Sequence, residues 1–183
     1  MRTFLLSLLA VVAVLLLTLF VIHSDLVGPQ FVVREEAKLK ASSETTWRKL
    51  SNFKQYSDWN PYLTQIDGKF SVGEQLQVSL NDGNFDGTVV VTPHLSEIVI
   101  GEYFCWAGTL VVPGLFDTRH CFVIHDEGNN SRIEQFEEFK GLIPMLFSVE
   151  ENMAPHVRVS FKRMHEALAQ TLQEENVLPF TKL

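Results

Sequence analysis

The chain has 183 residues and a net charge of −7 at pH 7, room for one ordinary domain plus an appendage. That charge removes the electrostatic case for nucleic acid or an anionic lipid surface as partner. The chain carries no Gly-x-Ser-x-Gly elbow, phosphate loop, dinucleotide fingerprint or His-Glu-x-x-His, so no cofactor and no metal is expected.

Phe4 to Ile22 is an apolar run broken only by Ser7 and Thr18. At about 1.5 Å per residue it is long enough to cross a hydrocarbon core of roughly 30 Å. It is apolar all round, which favours lipid over a core helix. A retained anchor and a cleaved signal both fit. Signal cores usually run about 7–15 residues before a small-x-small site, and Val21-Ile22-His23-Ser24-Asp25 offers none, which favours the anchor. Arg2 precedes the run and the next basic residue of Lys or Arg type is Arg34, so the amino terminus is expected in the cytoplasm and the rest outside it. The expected placement is a single-pass membrane protein, periplasmic in a bacterium, or secreted if residues 1–23 are cleaved. The domain plan is an anchor or signal over 1–23, a linker over 24–30, a ligand-binding domain over 31–175 and a tail over 176–183.

Phe31 to Lys40 alternates in the period of a half-buried strand. Ser42-Ser43-Glu44 supplies N-cap chemistry for a helix through Trp47 and Leu50. A second short helix, Phe53–Asp58, must stop before Asn60-Pro61. From Leu63 to Lys140 the chain reads as strands and turns, with turn signals at Gly68, Gly73, Asn81-Asp82-Gly83-Asn84, Thr92-Pro93, Pro113-Gly114 and Gly128-Asn129-Asn130. Short connections make an antiparallel meander the economical topology. Val149, Met153, Val157, Phe161, Met164, Leu168 and Leu172 then follow a helical stripe. Pro155 interrupts it: either Asn152 caps the helix and Pro155 sits in the first turn, which is preferred, or the helix is kinked. The expected fold is α+β, a curved antiparallel sheet of about seven strands wrapped on a long C-terminal helix, with two short helices after the first strand. The space between sheet and helix is where a ligand would bind.

Three strand-like runs, Ile98–Val112, Phe116–Asp126 and Ser131–Lys140, carry the most information. A three-residue turn at Val112-Pro113-Gly114 sets Cys105 opposite Cys121 and Trp106 opposite His120. A turn centred on Gly128-Asn129 sets His120 opposite Glu137. Opposed residues share a face, so Trp106, His120 and Glu137 form one row, with Cys105 and Cys121 on the other face. Gln135 lies beside the row. A carboxylate opposite an imidazole can serve a structural polar network, a ligand anchor or general acid–base catalysis. In an oxidising compartment the cysteines could bridge; otherwise they are two small buried thiols. They fit no zinc pattern. Trp47, Trp59, Phe104, Trp106, Phe122, Phe139, Phe147 and Phe161 divide between core and cavity lining.

Several segments in this order resemble the helix-grip superfamily of START lipid-transfer domains, plant pathogenesis-related binders and polyketide cyclase/dehydrase-like proteins (SRPBCC). They are Ala41-Ser42-Ser43-Glu44-Thr45-Thr46-Trp47, Tyr56-x-x-Trp59-Asn60-Pro61, Pro113-Gly114-Leu115-Phe116-Asp117, His120-x-Phe122 and Glu137-x-Phe139-x-Gly141-Leu142. They look most like its bacterial cyclase-like branch, from about Phe31 to Gln173. The resemblance implies a cavity for an apolar or amphipathic small molecule. Taken with the strand register and the helical stripe, the residues expected to line it are Trp59, Asn60, Trp106, His120, Phe122, Gln135, Glu137, Phe139, Phe161 and Met164. It does not imply an activity. The expected function is a membrane-anchored binder of a lipid-like molecule. The alternatives are a cyclase or hydrolase-like enzyme using His120 and Glu137, and an interaction module with a filled cavity.

Overall fold

A computed structural model describes residues 2–23, 28–81 and 87–177. Most of the expected linker (24–27), the Asp82-Gly83-Asn84 turn and the end of the tail (178–183) lie outside these. The elements in chain order are α1 (Arg2–His23), β1 (Phe31–Leu39), α2 (Ser43–Leu50), a 3-10 turn (Phe53–Gln55), α3 (Tyr56–Trp59), β2 (Leu63–Asp67), β3 (Gln77–Leu80), β4 (Val89–Val91), β5 (His94–Val99), β6 (Tyr103–Thr109), β7 (Asp117–Glu127), β8 (Asn130–Lys140), α4 (Leu142–Leu146) and α5 (Val149–Val177).

Five strands form an antiparallel sheet in the order β1-β8-β7-β6-β5, and β2-β3-β4 form a second, three-stranded sheet. The two are stitched by the bridge between Gln75 and His94 and by the backbone bonds Leu76 N–H to Pro93 O and Leu95 N–H to Glu74 O. The sheet and α5 close on a core that includes Val33, Leu39, Phe104, Phe122, Ile133, Phe139, Phe161, Met164, Leu168 and Leu172.

Local chemistry accounts for the short helices. Ser42 is the N-cap of α2, its Oγ accepting from Thr45 N–H. Asn60 ends α3, and its Oδ1 accepts from the amides of Tyr62 and Leu63, turning the chain at Pro61 into β2. Tyr56 is buried, its hydroxyl donating to Leu50 O and held far above the usual phenol range by desolvation.

Three sequence expectations need correction. The run Ile98–Val112 is not one strand: β5 ends at Val99, Gly101 turns the chain at φ +84°, and β6 begins at Tyr103. That turn supplies an eighth strand. The connection around Pro113 is also longer than three residues, because the ladder closes at Thr109 and Asp117 and Leu110–Phe116 form the loop. Its centre is still Pro113, so the register is the one a three-residue turn would set. Finally, α5 starts at Val149, not at an Asn152 cap, and Pro155 lies inside it. The Asn152 side chain instead donates to Ser148 O. The early start places Glu150 and Glu151 in the first turn, where carboxylates favour the helix dipole.

Cys105 and Cys121 are paired residues with Cα atoms 4.1 Å apart, as in a non-hydrogen-bonded antiparallel pair, and are joined in a disulfide. They sit on the sheet face away from α5, both buried. Around them that face carries a lattice of charges. Arg119 bonds Glu97 (2.9 Å) and approaches Glu138 (3.5 Å), while Glu134 meets both Arg34 and His125. Arg34 also lies over the Phe136 ring at 4.6 Å. Glu134 is therefore enclosed by its partners. Replacing both cysteines by Ala should lower unfolding free energy by about 3 kcal/mol, the scale for a loop of roughly 15 residues. Denaturant titration of the oxidised protein and of the double variant checks this.

Candidate functional site

Alternation along β6, β7 and β8 brings Trp106, His120 and Glu137 into one row on the face toward α5, since Trp106 pairs with His120 and His120 with Glu137. β1 extends the row with Val33 opposite Glu137. The next row toward the β6–β7 loop holds Phe139 stacked on Phe31 at 4.4 Å, closing the apolar wall on that side. The row on the other side holds Phe122 opposite Gln135.

His120 lies between two aromatic rings, Phe122 at 4.6 Å and Phe161 of α5 at 5.0 Å, both nearly parallel to it, with Trp106 edge-on at 5.2 Å. Its polar partner is Gln135, not Glu137: the Gln135 Nε2 amide donates to His120 Nε2 over 2.8 Å. That bond requires a neutral ring with its proton on Nδ1. Burial, and then the nearby His165, hold His120 down at about 3, so the neutral form is the one present near pH 7. Burial alone pushes the Glu137 carboxyl up to about 8, although the residue as a whole is only half-buried. The row is thus a neutral imidazole beside a largely protonated carboxyl. An imidazolium–carboxylate pair does not form.

Several buried polar atoms have no partner: Gln135 Oε1, Ser160 Oγ, His165 Nε2, Asn60 Nδ2 and Trp59 Nε1. Gln135, Ser160 and His165 belong to the two facing surfaces of sheet and α5, and each is almost wholly buried. An unpaired buried polar atom costs about 1–3 kcal/mol, so such a group invites a hydrogen-bonding occupant. Met164 is fully buried on the same helix between Phe161 and Leu168. Trp59 packs on Tyr56 at 5.1 Å, and the oxygen of Asn60 is committed to its own turn, leaving only the amide nitrogen free. Phe147 belongs to neither core nor lining, being 65% exposed.

Sequence reasoning missed His165 and Ser160. Both were legible: His165 lies four residues after Phe161 and Ser160 four before Met164, so the helical stripe already turned them inward. No group of three or more potential metal ligands occurs among the described residues. A shallow hollow of about 250 Å³ lies elsewhere, lined by Phe53, Lys54, Ser57, Gln65, Ile66 and Asp67.

No protein-family model matches the chain, and no curated protein matches it. Solved structures do. A START superfamily protein from Mycobacterium smegmatis superposes with a TM-score of 0.62 at 14% identity, over 79% of this chain and 98% of that one. The Zhui aromatase/cyclase from Streptomyces sp. R1128 gives 0.65 at 11% identity, over 84% and 99%. A norcoclaurine synthase from Thalictrum flavum gives 0.60 at 15%, over 80% and 96%. The chain has the START-like helix-grip fold.

His120, His165 and Glu137 set the pH profile for stability between acid and mildly alkaline pH. His120 and His165, ordinarily near 6.5 but held at about 3 and about 4, take up protons on unfolding below 6.5, so they make stability rise with pH up to that value. Glu137 keeps its proton when folded up to about 8 but loses it above 4.5 when unfolded, so it makes stability fall as pH rises between these limits. Two rising contributions outweigh one falling below 6.5, and only the falling one remains above it. Stability should therefore peak near pH 6.5. Glu137→Gln should abolish the decline toward pH 8 and steepen the acid limb, as read from denaturant midpoints across pH.

Proposed function

We propose that this protein is a membrane-anchored binder of an apolar or amphipathic small molecule, held between the five-stranded sheet and α5. The reading is carried by the enclosed polar spot of His120, Gln135, Glu137, Ser160 and His165 inside an aromatic and aliphatic shell. An apolar body would pack against Trp106, Phe122, Phe139, Phe161 and Met164, and a hydroxyl or carbonyl would meet the unpaired Gln135 and His165 atoms. Neutral His120 and protonated Glu137 suit an uncharged polar group better than an ion. The fold's occurrence in a START superfamily protein supports a ligand-holding role.

Phe4–His23 supports the anchor, being long and apolar enough to span a membrane. The disulfide fits an extracytoplasmic domain, where such bonds persist. In this reading the amino terminus is cytoplasmic and the domain stands outside, at the membrane surface. A lipid-like ligand then has a short path to the site.

Native mass spectrometry of the detergent-purified protein, with solvent extraction and analysis of what is released, tests the binder. A co-purified apolar molecule with one or two polar atoms is expected; recovery of ligand-free protein from several membrane preparations would count against it. Gln135→Met should keep the fold and weaken retention about tenfold, the scale of one hydrogen bond.

A second reading has its own support: a carboxyl pushed to about 8 in an apolar site is the form of Glu137 that could donate a proton, as a cyclising or hydrolytic enzyme requires. Bound ligand that remains chemically unchanged in wild type, and the same in Glu137→Gln, excludes it.

A further inference from the structure

α1 does not simply precede the domain; it is clasped to it. His23 Nδ1 lies 2.8 Å from the Asp117 carboxylate, Lys140 Nζ donates to His23 O over 2.8 Å, and Ile22 is buried. Gly114 packs so closely on the Leu19 carbonyl that a Cβ there would fall 2.0 Å from its oxygen. Asp117 organises the junction, accepting also from Thr109 Oγ1 and from Gly114 N–H. The end of the domain bearing the β6–β7 loop is thus fixed against the last turns of the apolar helix.

Two segments flank that clasp, and neither contains a charged residue: Leu110-Val111-Val112-Pro113-Gly114-Leu115-Phe116 and Gly141-Leu142-Ile143-Pro144-Met145-Leu146-Phe147-Ser148. They form one surface, because the amides of Leu142 and Ile143 donate to Gly114 O and Leu115 O. Both present large apolar side chains to the outside: Val111 is 80% exposed, Leu146 64% and Phe147 65%. Val111 is moreover a β-branched residue at φ +69°, a left-handed geometry such side chains rarely adopt. The loop thus holds an apolar side chain outward in an unfavourable backbone conformation, as local strain at functional positions does.

We propose that the β6–β7 loop and α4 form a bilayer-seated rim that sinks into the same membrane as α1. The inference rests on the retained-anchor reading. Its occupant is the lipid bilayer, because the patch is continuous with the only described helix long and apolar enough to span one. Interfacial apolar elements of this kind bury about 5–10 Å into the headgroup and acyl boundary. The geometry orients the binding site as well. His120 lies three residues from Asp117 along β7, about 10 Å at strand rise, so the polar spot stands directly behind the rim. A ligand passing from the bilayer to His120 along this end of the sheet would have to displace the stacked Phe31 and Phe139 rings that close it.

The test uses the full-length chain in phosphatidylcholine vesicles whose acyl chains carry a spin-label quencher. Cysteines introduced singly at Leu9, Val111, Phe147 and Ile100 receive an environment-sensitive fluorophore; the native pair is bonded to itself. Ile100 is the control, 83% exposed at the opposite end of β6. Quenching is expected at Leu9, Val111 and Phe147 and not at Ile100. Quenching at Leu9 with Val111 or Phe147 behaving like Ile100 overturns the rim and leaves the anchor standing. Quenching at Ile100 as well overturns it, since the domain then has no fixed orientation. An unquenched Leu9 removes the anchor, and the rim with it.

Discussion

The register of β6, β7 and β8 is the constraint on which the site depends. Side chains alternate with a period of two, so a slip of one residue in any ladder would exchange the two faces. His120, Gln135 and Glu137 would turn to solvent, while Arg119, Glu134 and Glu138 would enter the core. Several features hold the register at once: the tight turn at Gly128, the loop centred on Pro113, the Asp117 bonds at the loop's base and the covalent link between Cys105 and Cys121. The disulfide lies behind the row it fixes. The charge lattice on the outer face adds a further penalty against slippage, because Arg34, Arg119 and Glu134 find partners only in this alignment.

Inside the grip, desolvation governs the chemistry. An imidazolium between two phenylalanines would lose its hydration with no carboxylate to replace it, so His120 is neutral and binds an amide. Glu137, without a cation beside it, retains its proton for the same reason. The polar groups therefore remain in the interior as uncharged dipoles. They keep hydrogen-bonding capacity without the cost of a buried charge, and Gln135 Oε1 and His165 Nε2 are left without partners.

The sequence made the three-strand register legible because turn chemistry and strand period are both local signals. Cys105 opposite Cys121 and Trp106 opposite His120 required only the centre of a loop, which stays at Pro113 whether the loop has three residues or seven. Hydrogen-bond partnership was not legible in the same way. His120 faces Glu137 across the ladder, yet rotamer and packing against Phe161 direct its Nε2 to Gln135, and no local rule encodes that choice. The start of α5 was misread because proline disfavours but does not forbid helix, and Glu150 and Glu151 favour an earlier first turn. The contact of α1 with Gly114 joins residues nearly a hundred positions apart, a range at which spacing carries no information.

Pro155 divides α5 thermodynamically as well as geometrically. Its missing N–H leaves the Glu151 carbonyl without an intrahelical donor. The helix before Ser160 contains no fully buried residue, whereas Ser160, Phe161, Met164, His165, Leu168 and Leu172 are all buried. The helix is therefore two cooperative units: a C-terminal segment whose opening demands global unfolding, and an N-terminal segment that can fray alone. The weaker unit adjoins α4. The grip can thus relax at one end while the aromatic sandwich around His120 stays intact.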